Sequence, residues 1–169
     1  MNNHQLYFKK PNGRYTEAGI DETRAHYQDL LGEMFLRENG GKPLTNPRAA
    51  REYLYSHVTL DNENFVVAFL DTKHRVISCA ELFSGTLDMC AVPIREIIKR
   101  CLELRSNAII LAHGHPSADT SPSQSDIRLT KDVYEACSYI RVKLLDHFIF
   151  GGGGHENGIS LAELGQLHP

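Results

Sequence analysis

Four polar residues in the second half of the chain have types and spacing that could do chemistry together: His113, His115, Ser123 and Asp126. They sit in the stretch AIILAHGHPSADTSPSQSD, residues 108–126. On an extended backbone, side chains two residues apart project to one side, so the two imidazoles would stand about 6 to 7 Å apart along the chain, close enough to share an ion. Asp126 would bring a carboxylate to the same point. Three protein ligands with a fourth position open are the layout of a catalytic zinc site rather than a closed structural one. A plainer reading competes with this. Ser123-x-x-Asp126 also resembles a capping box with Asp in place of the usual Glu, worth about 1 kcal/mol to the helix and needing no metal.

The elements that must position these residues can be read from the flanking pattern. The apolar run 108–112 has strand length and the character of a strand covered on both faces. Residues 116–122, small, polar or turn-forming, bar both a continued strand and an early helix. Ser123 stands at an N-cap position, and Leu129, Val133, Ala136 and Ile140 form the apolar stripe of the helix that follows, with Asp126 on its inward face.

Upstream, the β-rich runs 65–70 and 76–83 read as a hairpin joined by residues 71–75. On the second strand Ile77, Cys79, Glu81 and Phe83 share a face, which places a carboxylate in apolar company where its pKa could suit proton transfer. A helix is expected from about 93 to 105, with Arg95, Lys99, Arg100 and Arg105 as a basic stripe that is either a solvated face or a contact for nucleic acid. A strand over 140–150 carries Val142, Leu144, Asp146, Phe148 and Phe150 on one face and Lys143, Leu145, His147 and Ile149 on the other. Asp146 and His147 therefore cannot enter one pocket from a regular strand, and a structural or supporting role is expected, one of them hydrogen-bonded to a ligand or loop. Near the front, the spacing predicts helices over 21–38, stopped by Asn39-Gly40-Gly41, and from Asn46-Pro47 to about 57. Residues 1–20 read as a loose arm or an irregular strand. Strands and helices alternating in the second half argue for an α/β (α+β) fold, a mixed sheet flanked by helices.

At this point the residues resemble a known family. His113-x-His115, seven residues, Ser123, two residues and Asp126 match the JAMM motif of the JAB/MPN metallopeptidases at every position. ELFSGTL (81–87), PIREI (93–97), IILAHGHPS (109–117) and LLDHFIFG (144–151) look like the RadC branch of that family. The resemblance covers roughly residues 45–158, leaving 1–44 as an N-terminal arm and helical appendage and 159–169 as a tail. It implies a three-layer, cytidine-deaminase-like architecture, Zn²⁺ on His113, His115 and Asp126, Glu81 as proton carrier and Ser123 as hydrogen-bond donor to the reacting carbonyl. The implied reaction is hydrolysis of a peptide or isopeptide bond in a peptide or protein substrate. The same resemblance carries a rival, a DNA-transaction accessory contacting DNA through Arg95, Lys99, Arg100 and Arg105. This chain departs from the RadC pattern at Gly114, where Asn is commoner, at Ala118, where Gly is expected, and by an extra residue after Pro93.

Composition fits these readings. The chain has 169 residues, 41% hydrophobic and 23% charged, enough for one globular domain with a modest appendage. A net charge of -3 gives no global attraction to nucleic acid. No apolar window approaches a membrane span of about 18 residues, and residues 1–10 lack the core of a signal peptide, so a cytoplasmic protein is expected. Cys79, Cys90, Cys101 and Cys137 form no C-x-x-C pair and are expected to be reduced, buried thiols. His4, His26, His57, His74, His155 and His168 have no partner at ligand spacing and are expected at the surface.

Overall fold

Two strands, β3 (Asn64–Leu70) and β5 (Ala108–Gly114), are buried at every residue and form the middle of the described fold. The computed structural model describes residues 7–9, 14–17, 19, 43–44, 46–84 and 93–167. The helix expected over 21–38, Cys90, His4, His26 and His168 lie outside those residues. At the front, β1 (Tyr7–Lys9) and β2 (Tyr15–Glu17) pair antiparallel as a small separate sheet.

The main sheet has five strands in the order β4 (Val76–Ser84), β3, β5, β6 (Lys143–Phe150) and β7 (Ile159–Ser160). β3 runs antiparallel to both β4 and β5, and β6 runs antiparallel to β7. β5 and β6 are parallel, which requires a crossover, and helix α3 (Gln124–Tyr139) supplies it. Helix α1 (Pro47–Tyr55) covers one face, where Tyr53 and Leu54 meet Val66, Ala68, Ile110 and Phe148. Helix α2 (Ile94–Glu103) and α3 cover the other, where Ile97, Cys101, Val133 and Cys137 meet Phe65, Val67, Ile109 and Leu111. This is a mixed α/β fold of three layers, as a JAB/MPN architecture requires. Residues 159–167 are integral to it: β7 forms one edge of the sheet, and Leu161 and Leu167 are buried.

Local signals explain most boundaries. Asn46 caps α1 by accepting from the Ala49 amide at 2.8 Å, with Pro47 in the first turn. In the hairpin loop the Asp71 carboxylate accepts from the Lys73 and Arg75 amides at 2.7 and 2.9 Å and pairs with the Arg75 guanidinium.

Three expectations need correction. The last long strand begins at Lys143, not at 140, because α3 ends in a Schellman motif: Arg141 takes φ 57°, and the Val142 amide donates to Cys137 O at 3.0 Å. Arg105 at φ 51° ends α2 in the same way, with Ser106 N donating to Cys101 O. Arginine rather than glycine fills both left-handed positions, so the usual sequence signal was absent.

Strict alternation also fails on two strands. A register shift between Ile109 and Ile110 pairs Leu144 and then Asp146, skipping Leu145, so Val142 and Leu144 pack with α2 and α3 while Phe148 and Phe150 pack with α1. A shift between Phe65 and Val66 skips Leu82 and turns Phe83 to the opposite core from Cys79.

His57 is the third correction. It is buried at the end of α1, with Nδ1 3.0 Å from Tyr53 O and its ring against that of Tyr53. His74 and His155 are half-buried. Among the described cysteines, Cys101 and Cys137 are buried and Cys79 half-buried, all three as free thiols. No helix among the described residues is long and apolar enough to cross a membrane.

Candidate metal centre

β5 delivers His113 at its end, and the extended continuation through Gly114 delivers His115 on the same side. The His115 amide donates to Phe150 O at 2.7 Å, which ties the ligand strand to the end of β6. The two Nε2 atoms stand 2.8 Å apart, and Asp126 at the start of α3 brings Oδ1 to 3.4 Å from His113 Nε2 and Oδ2 to 3.8 Å from His115 Nε2. One ligand atom from each residue lies within 4.8 Å of the others.

The hydrogen bonds decide what the nitrogens offer. His115 Nδ1 is 2.6 Å from the carbonyl of Asp119, so it must carry the proton. Thr130 donates its only hydroxyl hydrogen to Asp126 O at 2.6 Å, so its oxygen can only accept from His147 Nδ1, also at 2.6 Å. A neutral His147 then has a bare Nε2, which accepts from His113 Nδ1 at 2.9 Å. With both rings neutral, His113 and His115 turn Nε2 lone pairs towards each other beside a carboxylate. Two lone pairs at that distance repel unless a proton or cation lies between them, so the donor set fits a divalent cation.

The cap and a ligand role, rivals in the sequence, are geometrically compatible. Asp126 Oδ2 accepts from the Ser123 amide at 2.8 Å and from Ser123 Oγ at 2.6 Å, while Ser123 Oγ accepts from the Asp126 amide at 3.1 Å, a complete capping box. Oδ1 is left to face His113.

A cleft of about 320 Å³ opens onto the group, lined by Glu63, His115, Ser117, Asp119, Ser121, Ser123, Ser125, Asp126 and Leu129. Glu81 is held 3.0 Å from Asn64 Nδ2, whose amide oxygen accepts from Thr59 N, and it is not among the residues lining the cleft. Asp146 points elsewhere, to Ser160 Oγ at 2.6 Å and Ala162 N at 3.1 Å, fastening β7 to β6. Thr130 was not singled out from the sequence. Its only signal is a position four residues after Asp126, which puts it on the same inward helix face.

Residues 44–166 match the RadC-like JAB domain family. The chain belongs to the RadC-like JAB family. It is 41% identical over 153 residues to a UPF0758 protein of Photobacterium profundum, covering 89% of this chain and 63% of that one. A UPF0758 protein of Alcanivorax borkumensis is 43% identical over 140 residues, covering 81% of this chain and 61% of the relative. The chain thus spans a little over three fifths of the length of these curated relatives.

Burial sets the electrostatics of this RadC-like JAB domain. It pulls the His113 pKa down from 6.5 to about 4, the nearby Asp126 charge opposing and His115 assisting. Burial likewise holds His147, fully inside, well below the usual imidazole range. Burial pushes the Asp146 carboxyl up, against hydrogen bonds from Ser160, Ala162 and His147. The unfolded chain protonates its imidazoles near 6.5, whereas these two stay neutral in the fold. Between about 6.5 and 4 the unfolded state therefore binds more protons, and stability falls as pH falls. Denaturant titrations of chelator-treated protein at pH 7 and pH 5 should show this loss, up to about 1.4 kcal/mol per pH unit for each ring. Equal stability at the two pH values would contradict the burial argument.

The loop between His115 and Ser123 carries one strained residue. Ala118, which replaces the glycine expected from the family pattern, has φ 63°. A left-handed residue with a Cβ costs roughly 1–2 kcal/mol, partly offset in glycine by its greater chain entropy. Ala118→Gly should raise stability by about 1 kcal/mol in a denaturant titration. A decrease would mean that the Ala118 methyl makes a contact worth more than the strain.

Proposed function

We propose that this chain is a JAMM-type hydrolase that cleaves a peptide or isopeptide bond, with Zn²⁺ held by His113, His115 and Asp126. The observation that carries the reading is the pair of histidine Nε2 atoms 2.8 Å apart beside the Asp126 carboxylate, with His115 and Asp126 opening onto a cleft. Zinc held by three protein donors lowers the pKa of a coordinated water to about 7 and polarises a carbonyl. Glu81, at the same end of the sheet and positioned by Asn64, would take a proton from the attacking water and return it to the leaving amine. Ser123 would turn its hydroxyl from Asp126 to the carbonyl oxygen, a contact worth on the order of 3 kcal/mol in comparable sites.

The cleft lining favours this over nucleic-acid binding at the centre. Among the described residues it holds carboxylates and serines with no lysine or arginine, so a phosphodiester would meet like charge. On α2, Lys99 and Arg100 already pair with Glu96, and Lys99 also with Glu103. DNA binding through Arg95, Lys99, Arg100 and Arg105 is the weaker proposal, and would show itself as strongly salt-dependent binding.

The test is a screen of zinc-loaded protein against peptide and isopeptide substrates, repeated with Glu81→Gln and Glu63→Gln. Glu81→Gln should retain the metal and lose at least about 100-fold in turnover, the scale of general-base catalysis. Glu63→Gln should stay within a few-fold of the parent. The reverse pattern would move the proton-carrying role to Glu63, and no turnover on any amide would remove the hydrolase reading.

A further inference from the structure

We infer that Thr130 and His147 are positioning residues for the metal centre: together they hold His113 as the Nδ1–H tautomer and keep its Nε2 lone pair aimed at the point shared with His115 and Asp126. The inference rests on the reading that these three residues hold a cation. Its basis is a directed chain of hydrogen bonds. The Asp126 carbonyl fixes the Thr130 hydroxyl hydrogen, Thr130 Oγ1 fixes the His147 proton on Nδ1, and His147 Nε2 fixes the His113 proton on Nδ1. Thr130 and His147 are both fully buried, so no water competes for these bonds. Phe65 closes the remaining side, its ring edge-on to His147 and stacked with His113.

The chain matters because a second arrangement is available. With the His147 and His113 protons each moved to the other ring nitrogen, His147 would donate to His113 Nδ1, and His113 Nε2 would donate to His115 Nε2 across the same 2.8 Å. That arrangement is a hydrogen-bonded histidine pair with no lone pair left for an ion. The Thr130 hydroxyl selects the first, since its hydrogen is already given to the backbone. Asp126 thus supplies the centre twice, by its carboxylate directly and by its carbonyl through Thr130.

The experiment uses the full chain as wild type, Thr130→Val, which keeps the shape without the hydroxyl, and Thr130→Ser, which restores it. Zinc affinity, measured by competition with a chromophoric chelator, should weaken about 10- to 100-fold in Thr130→Val and recover to within a few-fold in Thr130→Ser. Nitrogen-15 NMR of the imidazoles in metal-free wild type should show His113 and His147 protonated at Nδ1. A Thr130→Val affinity within two-fold of wild type, or a His113 proton on Nε2 in metal-free wild type, overturns the inference. If wild type binds no zinc, the metal reading fails separately, and the NMR assignment still decides the tautomer. The same assignment decides it if Thr130→Val does not fold.

Discussion

Removing bound divalent ions with a chelator is expected to lower the melting temperature of the protein by about 10 °C, and Asp126→Asn is expected to abolish that difference. A ligand that binds only the folded state adds about 4 kcal/mol at a thousand times its dissociation constant. In a domain of this size one kcal/mol moves the midpoint by roughly 2–4 °C. The geometry says why the fold should respond: with both rings neutral, His113 Nε2 and His115 Nε2 turn lone pairs on each other at 2.8 Å, and an ion between them would replace that repulsion with two bonds. Asp126→Asn separates the two duties of the residue. The amide oxygen can still accept from the Ser123 amide, so most of the cap survives, while the charged ligand is gone. The metal-free variant should therefore melt within a few degrees of chelated wild type. Identical melting of wild type with and without chelator would leave only the cap, and Ser123 and Asp126 would be helix-starting residues alone.

The legible part of this protein was the part governed by short-range chemistry. The all-apolar run 108–112, the Ser123 cap and the stripe from Leu129 to Val133 each carry their own signal, and together they place His113, His115 and Asp126 on one spot. What could not be read depends on partners distant in the chain. The Leu145 and Leu82 bulges are set by pairing with β5 and β3, and each reverses which core a residue enters. The helix ends at Arg105 and Arg141 use left-handed arginines, a choice that local propensity disfavours. Thr130 acquires its role only because β6 carries His147 to within 2.6 Å of it. A lone threonine on a helix face gives no warning of that.

Gly114→Asn, which restores the residue commoner between the histidines in the family, should destabilise this particular chain by at least about 3 kcal/mol. A Cβ on Gly114 would lie 2.5 Å from Thr59 O and 2.7 Å from Val58 Cγ1, with Leu60 Cδ2 at 3.2 Å. The first of these is backbone, and that backbone is not free to retreat: the Thr59 amide is bonded to Asn64 Oδ1, and Asn64 also holds Glu81 and the His57 carbonyl. Residues 58–60 thus occupy the space an asparagine side chain would need. Overpacking a filled site typically costs 1–3 kcal/mol, and more where the obstacle is rigid, so the upper end or beyond is expected here. The damage should reach the metal as well, because moving Gly114 moves the backbone joining both histidines. Zinc affinity should fall with stability in Gly114→Asn. Adding Val58→Ala should recover only part of the loss, since the Thr59 carbonyl remains. Melting of Gly114→Asn within 2 °C of wild type would mean that the 58–60 segment yields without cost, and the steric account of this glycine would be wrong.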